Sequence, residues 1–119
     1  VLKQRGKKAA NVPRFRDQEK CDYFLNLLSL ISNEYRFKIL CLLSDGDFCV
    51  ADITELVGGK ASNISQQLKI LTLANYIAKR REGKLIYYSL KDQRIRRLLD
   101  FLHSLWDIEH EEKDIKEDV

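Results

Sequence analysis

A chain of 119 residues with 45% hydrophobic content can bury one small core but not two large ones. It contains no apolar run near the roughly 20 residues that span a bilayer, and its polar, basic N-terminal stretch leads us to expect no secretory signal. Its three Cys have scattered spacing, which excludes a disulfide framework and fits reduced thiols in a cytoplasmic protein.

The formal net charge is only +3, but it is unevenly spread. Residues 1–20 carry seven Lys/Arg against two acids, and residues 107–119 carry seven acids against two Lys. Between Lys79 and Arg97 lie eight basic residues and two acids, Glu82 and Asp92. A basic cluster within the folded body is the footprint expected of a polyanion-binding surface, whereas an acidic end is ordinarily just solvated. The first residue is Val, as expected of a trimmed or processed chain. Three segments follow: a basic flexible arm (1–16), a folded body (17–110) and an acidic tail (111–119).

Asp17 opens the first predicted helix, in which Phe24, Leu27, Leu28 and Ile31 share a face. Ser32 and Asn33 are suited to cap a second helix from Glu34 to about Leu43, with Glu34 set against its dipole. Asp45-Gly46-Asp47 reads as a turn. A short helix, Val50 to Val57, is expected to bury Ile53, Leu56 and Val57, and Gly58-Gly59-Lys60 breaks it.

Ala61 to Leu73 follows, and it has two unlike faces. Ile64, Leu68 and Leu71 recur at i, i+4 and i+7, a stripe that packs on a core. Ser62, Ser65, Gln66 and Lys69 recur at i, i+3, i+4 and i+7 on the other side. Short hydroxyls, an amide and one Lys suit a helix lying against base edges and phosphates in a major groove. A short helix, a Gly-containing turn and such a second helix form the helix-turn-helix pattern.

Beyond Asn75 the period becomes two. Ile86, Tyr88 and Leu90 alternate with Leu85, Tyr87 and Ser89, and Gly83 suits a tight turn after Lys79-Arg80-Arg81-Glu82. The expectation is a two-stranded β-wing whose tip, with Arg80, Arg81 and Lys84, meets phosphate or the minor groove. Asp92 starts a last helix with Ile95, Leu98, Leu99, Leu102, Leu105 and Trp106 on one stripe. That stripe exceeds what one small core covers, and a second subunit would bury it, with Phe24 and Leu28 of the first helix joining Leu98, Leu102, Leu105 and Trp106.

Residues 31–43 (ISNEYRFKILCLL), 47–57 (DFCVADITELV), 62–71 (SNISQQLKIL) and 79–90 (KRREGKLIYYSL), in this order and spacing, resemble the ArsR/SmtB family of bacterial winged-helix repressors. The resemblance covers about Asp22 to Asp107. It implies a mainly α winged helix-turn-helix of about five helices with a β-wing, dimeric and bound to imperfectly palindromic double-stranded operator DNA. On matching positions Ser62, Asn63, Ser65 and Gln66 would read DNA, with Arg80, Arg81 and Lys84 in the wing, and Lys69 joins them from its place on the polar face of the helix.

The family's recurrent metal sites are broken here. The thiolate pattern ELCVCDL is matched by Asp47-Phe48-Cys49-Val50-Ala51-Asp52-Ile53, which keeps one thiol, too few to hold a soft ion tightly. At the zinc pattern Asp92 matches, but Arg94, Leu105 and Ile108 stand at ligand positions, and His103 and His110 miss them. No metal or other cofactor is expected.

NEYRFKILCLL and LLDFLHSLWD resemble the thiol-switch subgroup, the haemolysin-regulator and biofilm-regulator-like members. There a Cys in the second helix pairs with one near the end of the last. Cys41 matches the first thiol, Asp107 stands at the second, and Cys21 is a substitute candidate. The alternatives are a Cys41 that is only a small buried hydrophobe in a regulator without an inducer, or a winged-helix protein-interaction module. With no nucleophile–base constellation or phosphate-binding Gly loop, an enzyme is not expected.

Overall fold

A computed structural model describes the backbone of residues 16–118 and the side chains of residues 16–111. Most of the basic arm, residues 1–15, lies outside the described residues. The chain divides after Glu34 into two compact units.

The first unit holds helix α1 (Gln18–Ile31). Asp17 starts it as expected: its carboxylate accepts the Lys20 N–H at 3.1 Å, satisfying an otherwise orphaned donor, and Glu19 sits in the positive first turn. Ile31 is buried, while Phe24 and Leu28 are about half exposed. Ser32 ends α1 rather than opening the next helix. Its N–H reaches Leu28 O at 2.9 Å and its hydroxyl reaches Ser29 O at 3.2 Å.

Helix α2 (Glu34–Asp45) leads into the second unit, followed by β1 (Phe48–Cys49), α3 (Val50–Val57), α4 (Ala61–Leu73), β2 (Ile77–Glu82), β3 (Leu85–Leu90) and α5 (Gln93–Asp118). The core is built from helical i, i+3/i+4 stripes: Ile39, Leu40 and Leu43 of α2, Ile53 of α3, Ile64, Leu68 and Leu71 of α4, Ile95 and Leu99 of α5. Ile77 and Leu90 close it from the sheet. Each such aliphatic side chain contributes about 1.5–3 kcal/mol by leaving water. Leu56 departs from expectation and is 60% exposed. Helix α3 has only eight residues, and Ile53 fills the position that points inward.

The wing also departs from expectation, with three strands rather than two. The antiparallel order is β1-β3-β2, with Phe48 opposite Tyr88 and Cys49 opposite Tyr87. A two-residue strand is too short to show alternation, so the sequence gives no period-2 signal for it. The β2–β3 hairpin closes at Glu82 opposite Leu85. Gly83, at φ 61, is the first of the two turn residues, the position where a tight hairpin needs a positive φ.

Candidate nucleic-acid interface

The reading surface depends first on how α4 is set into the unit. Gly58 ends α3 at φ 86 and ψ 174, a conformation essentially reserved for glycine, and Gly59 follows at φ 93. The chain therefore turns sharply between Val57 and Ala61. At its far end α4 stops in a Schellman motif: Asn75 adopts φ 63, its N–H bonds Thr72 O at 3.0 Å, and the Tyr76 N–H bonds Leu71 O at 3.1 Å. Between these ends Ile64, Leu68 and Leu71 are at most 1% exposed. That seating turns Ser62, Ser65, Gln66 and Lys69 outward, and all four are exposed. The first turn of α4 has no acidic residue, so the positive end of its dipole stays uncompensated and favours an anion.

Asn63 is placed differently from its expected companions. It is only half exposed, and its Oδ1 accepts from Gln67 Nε2 at 3.0 Å. Gln67 in turn accepts from Arg36 Nη1 at 2.8 Å. Neither Gln67 nor Arg36 was among the expected site residues. The available signal was a polar residue at a core position, since Gln67 sits between Ile64 and Leu68 in the buried stripe.

In the wing, alternation puts Arg80 with Glu82 on one face and Lys79 with Arg81 on the other. Arg80 Nη1 reaches Asp47 Oδ2 at 2.5 Å and its Nε lies 3.5 Å from Glu82 Oε1. Its guanidinium also sits 5.1 Å from the centre of the Tyr87 ring, its cross-strand neighbour. Arg80 is thus held by protein acids. Arg81 donates to Gly83 O at 3.1 Å, and Lys84 occupies the turn itself. Arg81 and Lys84 have no carboxylate partner among the described residues, so they carry the net positive charge of the tip.

The thiols are apart in character. Cys49 is buried at the start of α3, and Cys21 lies on α1 in the first unit. Cys41 is half-buried and borders a cavity of about 360 Å³ with Phe37, Leu99, Leu102, His103 and Trp106. Burial, and secondarily the carboxylate of Asp45, pushes the Cys41 thiol above its ordinary pKa, which favours the thiol over the thiolate. Among the described residues no group of three or more His, Cys, Asp or Glu is arranged to hold a metal ion. Asp92, the one matching zinc position, instead caps α5. Its Oδ1 accepts the Arg94 N–H at 2.8 Å, and the Arg94 guanidinium pairs with the same carboxylate. His110 stacks on Trp106 with ring centres 3.5 Å apart.

Helix α5 has two apolar stripes. Ile95 and Leu99 enter the core, while Phe101, Leu105 and Ile108 recur at i, i+4 and i+7 and stay exposed. Leu102 and Trp106 are exposed as well, at 37% and 62%. Five large apolar side chains of one helix are thus left to solvent within this chain. Among the described residues no helix is long and apolar enough to cross a membrane.

Comparison with known proteins points the same way. The family described as bacterial regulatory protein, arsR family, matches residues 33–79. The cadmium resistance transcriptional regulatory protein CadC homologue of Staphylococcus aureus is 36% identical over 76 residues. That match covers 61% of this chain and 63% of the relative, so less than two thirds of its length. The biofilm growth-associated repressor of Agrobacterium fabrum is 30% identical over 80 residues, 67% of this chain and 68% of its own.

Among solved structures, the transcriptional repressor BigR from Xylella fastidiosa superposes with a TM-score of 0.71 at 26% identity, covering 79% of this chain and 96% of its own. Reduced HlyU from Vibrio cholerae gives 0.69 at 26% identity, with 75% and 94% covered. A homodimeric winged helix-turn-helix DNA-binding domain from Mycobacterium bovis gives 0.67 at 26% identity, with 82% and 90% covered.

Proposed function

The chain belongs to the arsR family of bacterial regulatory proteins and is a DNA-binding transcriptional regulator of the HlyU/BigR-like kind; we propose that it acts in the cytoplasm as a homodimeric repressor of a two-fold symmetric operator. The observation that carries this reading is the pair of opposed faces on α4. Ile64, Leu68 and Leu71 anchor the helix, and Ser62, Ser65, Gln66 and Lys69 look outward beside the basic hairpin. Ser65 and Gln66 contact base edges, while Arg81 and Lys84 contact phosphate. The exposed stripes of α5, with Phe24 and Leu28 of α1, pair with a second copy, which sets two α4 helices one DNA turn apart, roughly 34–36 Å.

Selection of duplexes from a random pool, followed by competition against random DNA at several salt concentrations, tests this. A palindromic sequence should emerge. Ser65→Ala with Gln66→Ala should relax its specificity, whereas Arg81→Ala should weaken all duplexes alike and reduce the salt slope by about one. If no duplex is enriched, DNA reading is wrong, and a protein-interaction module becomes the better account.

A thiol response through Cys41 is a second reading, favoured by the cavity it borders and by the likeness to HlyU and BigR. Operator titrations of reduced and polysulfide-treated protein, beside Cys41→Ser, decide it. Equal affinities throughout would leave a regulator that does not sense through this thiol.

A further inference from the structure

Gln67 is the only buried polar side chain among the described residues, at 8% exposure. A buried amide must have its groups satisfied, and here the partners fix which way it points. Arg36 can only donate, because a guanidinium has no acceptor. The Gln67 oxygen therefore faces Arg36 Nη1, at 2.8 Å, and its nitrogen faces Asn63 Oδ1, at 3.0 Å. The same logic passes to Asn63: its oxygen is turned inward to Gln67 Nε2, so the edge directed away from that bond, toward a ligand, is the donor edge, Nδ2. One charged residue on the first turn of α2 thus sets the polarity of an amide on the first turn of α4.

We propose that Arg36 is a positioning residue for DNA recognition: through Gln67 it holds Asn63 so that Asn63 offers donors only. This rests on the DNA-reading role of α4. Held this way, Asn63 is restricted to acceptors, either phosphate oxygens or acceptor atoms such as guanine O6 and N7 and thymine O4. The two-bond reading of adenine by an amide, which needs an acceptor beside the donor, is closed to it. A second contact holds the same turn of α2 against the helix-turn-helix: the Tyr35 ring packs so closely on Gly59 that a Cβ there would come within 2.9 Å of it. The start of α4 is therefore located by two adjacent residues of α2, one by shape and one by hydrogen bonding.

The test uses the full chain and the duplex that the wild-type protein selects from a random pool. Arg36→Met keeps an unbranched stem of similar bulk but removes the guanidinium and its donors, so both amides become able to flip. The ratio of specific to random affinity should fall roughly tenfold, the size of one base contact, with the salt slope unchanged. Arg36→Lys, which still donates, should restore part of the ratio. In an Asn63→Ala background, Arg36→Met should have no further effect on the ratio, because its action runs through Asn63.

Gln67→Glu inverts the polarity while keeping Arg36 paired. Asn63 must then donate inward and present its oxygen, and selection should shift toward a base that donates at that position. This variant also decides the matter should Arg36→Met melt before binding is measured. A uniform loss on all duplexes with a salt slope reduced by about one would make Arg36 a phosphate contact and overturn the proposal. So would an equal loss of ratio in the Asn63→Ala background, or an unchanged base preference with Gln67→Glu. Failure of the wild type to enrich any duplex would instead overturn DNA reading itself, and the proposal with it.

Discussion

Gly59→Ala probes whether the turn before the reading helix is held by sterics or only by backbone freedom. Two costs can be worked from the structure. At φ +93 an L-residue is in left-handed territory, which costs about 1–2 kcal/mol. The new Cβ would also lie 2.9 Å from Tyr35 Cε1 and 3.3 Å from its hydroxyl oxygen, inside van der Waals contact. Relieving such a clash costs about 1–3 kcal/mol, toward the lower end here because a half-buried Tyr ring can tilt away. The sum is about 2–4 kcal/mol, a large share of the ~5–15 kcal/mol that holds a typical domain. At about 4–8 °C per kcal/mol for a domain near 100 residues, the melting temperature should drop by roughly 10–25 °C.

Thermal and urea unfolding followed by circular dichroism measure this, with Tyr35→Leu as a second background. There the steric part disappears, and Gly59→Ala should cost about 1–2 kcal/mol less than in the wild type. Gly58→Ala serves as the contrast: its φ is +86 but nothing lies within 4 Å of the added Cβ, so its penalty should not depend on Tyr35. Equal costs for Gly59→Ala in both backgrounds would refute the idea that the Tyr35 ring clamps this turn.

Asp47→Asn removes the acid that holds Arg80 and makes the wing more positive, so binding to all duplexes should tighten and the salt slope steepen by up to about one; unchanged titrations would contradict it. Asp92→Ala should destabilise by about 1 kcal/mol at neutral pH through loss of the α5 cap. The Arg94 side chain and the backbone N–H groups hold the Asp92 carboxyl below its usual range, opposed only in part by burial. Its contribution is therefore complete above the unfolded value, near pH 4, and fades as pH falls through the depressed folded value. Melts of both proteins should converge on acidification, and a constant gap would argue against a charged cap. Alkylation of Cys41, measured with Cys21→Ser and Cys49→Ser in place, should follow a pH curve displaced above that of a free thiol, and Asp45→Asn should bring it partway back.

Much of this was readable from residue order, for physical reasons that differ by element. The α4 stripe was legible because three large aliphatic residues at helical spacing admit one seating. The wing was legible because Leu85–Leu90 alternates around a Gly turn. The change of period beyond Asn75 placed the end of α4, although the positive φ of Asn75 itself was not read. What could not be read were pairings between distant segments. Strand β1 exists only through Tyr87 and Tyr88, nearly forty residues away in sequence. Asp47 gave no hint that it would meet Arg80, nor Arg36 that it would meet Gln67. Asn63 shared a polar motif with Ser62, Ser65 and Gln66, yet its half-buried amide is tied to its own helix.

The short strand β1 has a mechanical consequence. Phe48 and Cys49 are laced to β3 and run directly into α3, so the hairpin cannot swing without dragging the helix-turn-helix along. The distance from groove-reading residues to the flanking wing contact is thereby a fixed ruler. An operator with one base pair inserted between those two footprints displaces one from the other by about 3.4 Å, a gap this scaffold cannot absorb by flexing. Natural sites should accordingly vary in base identity at the flank far more readily than in its spacing.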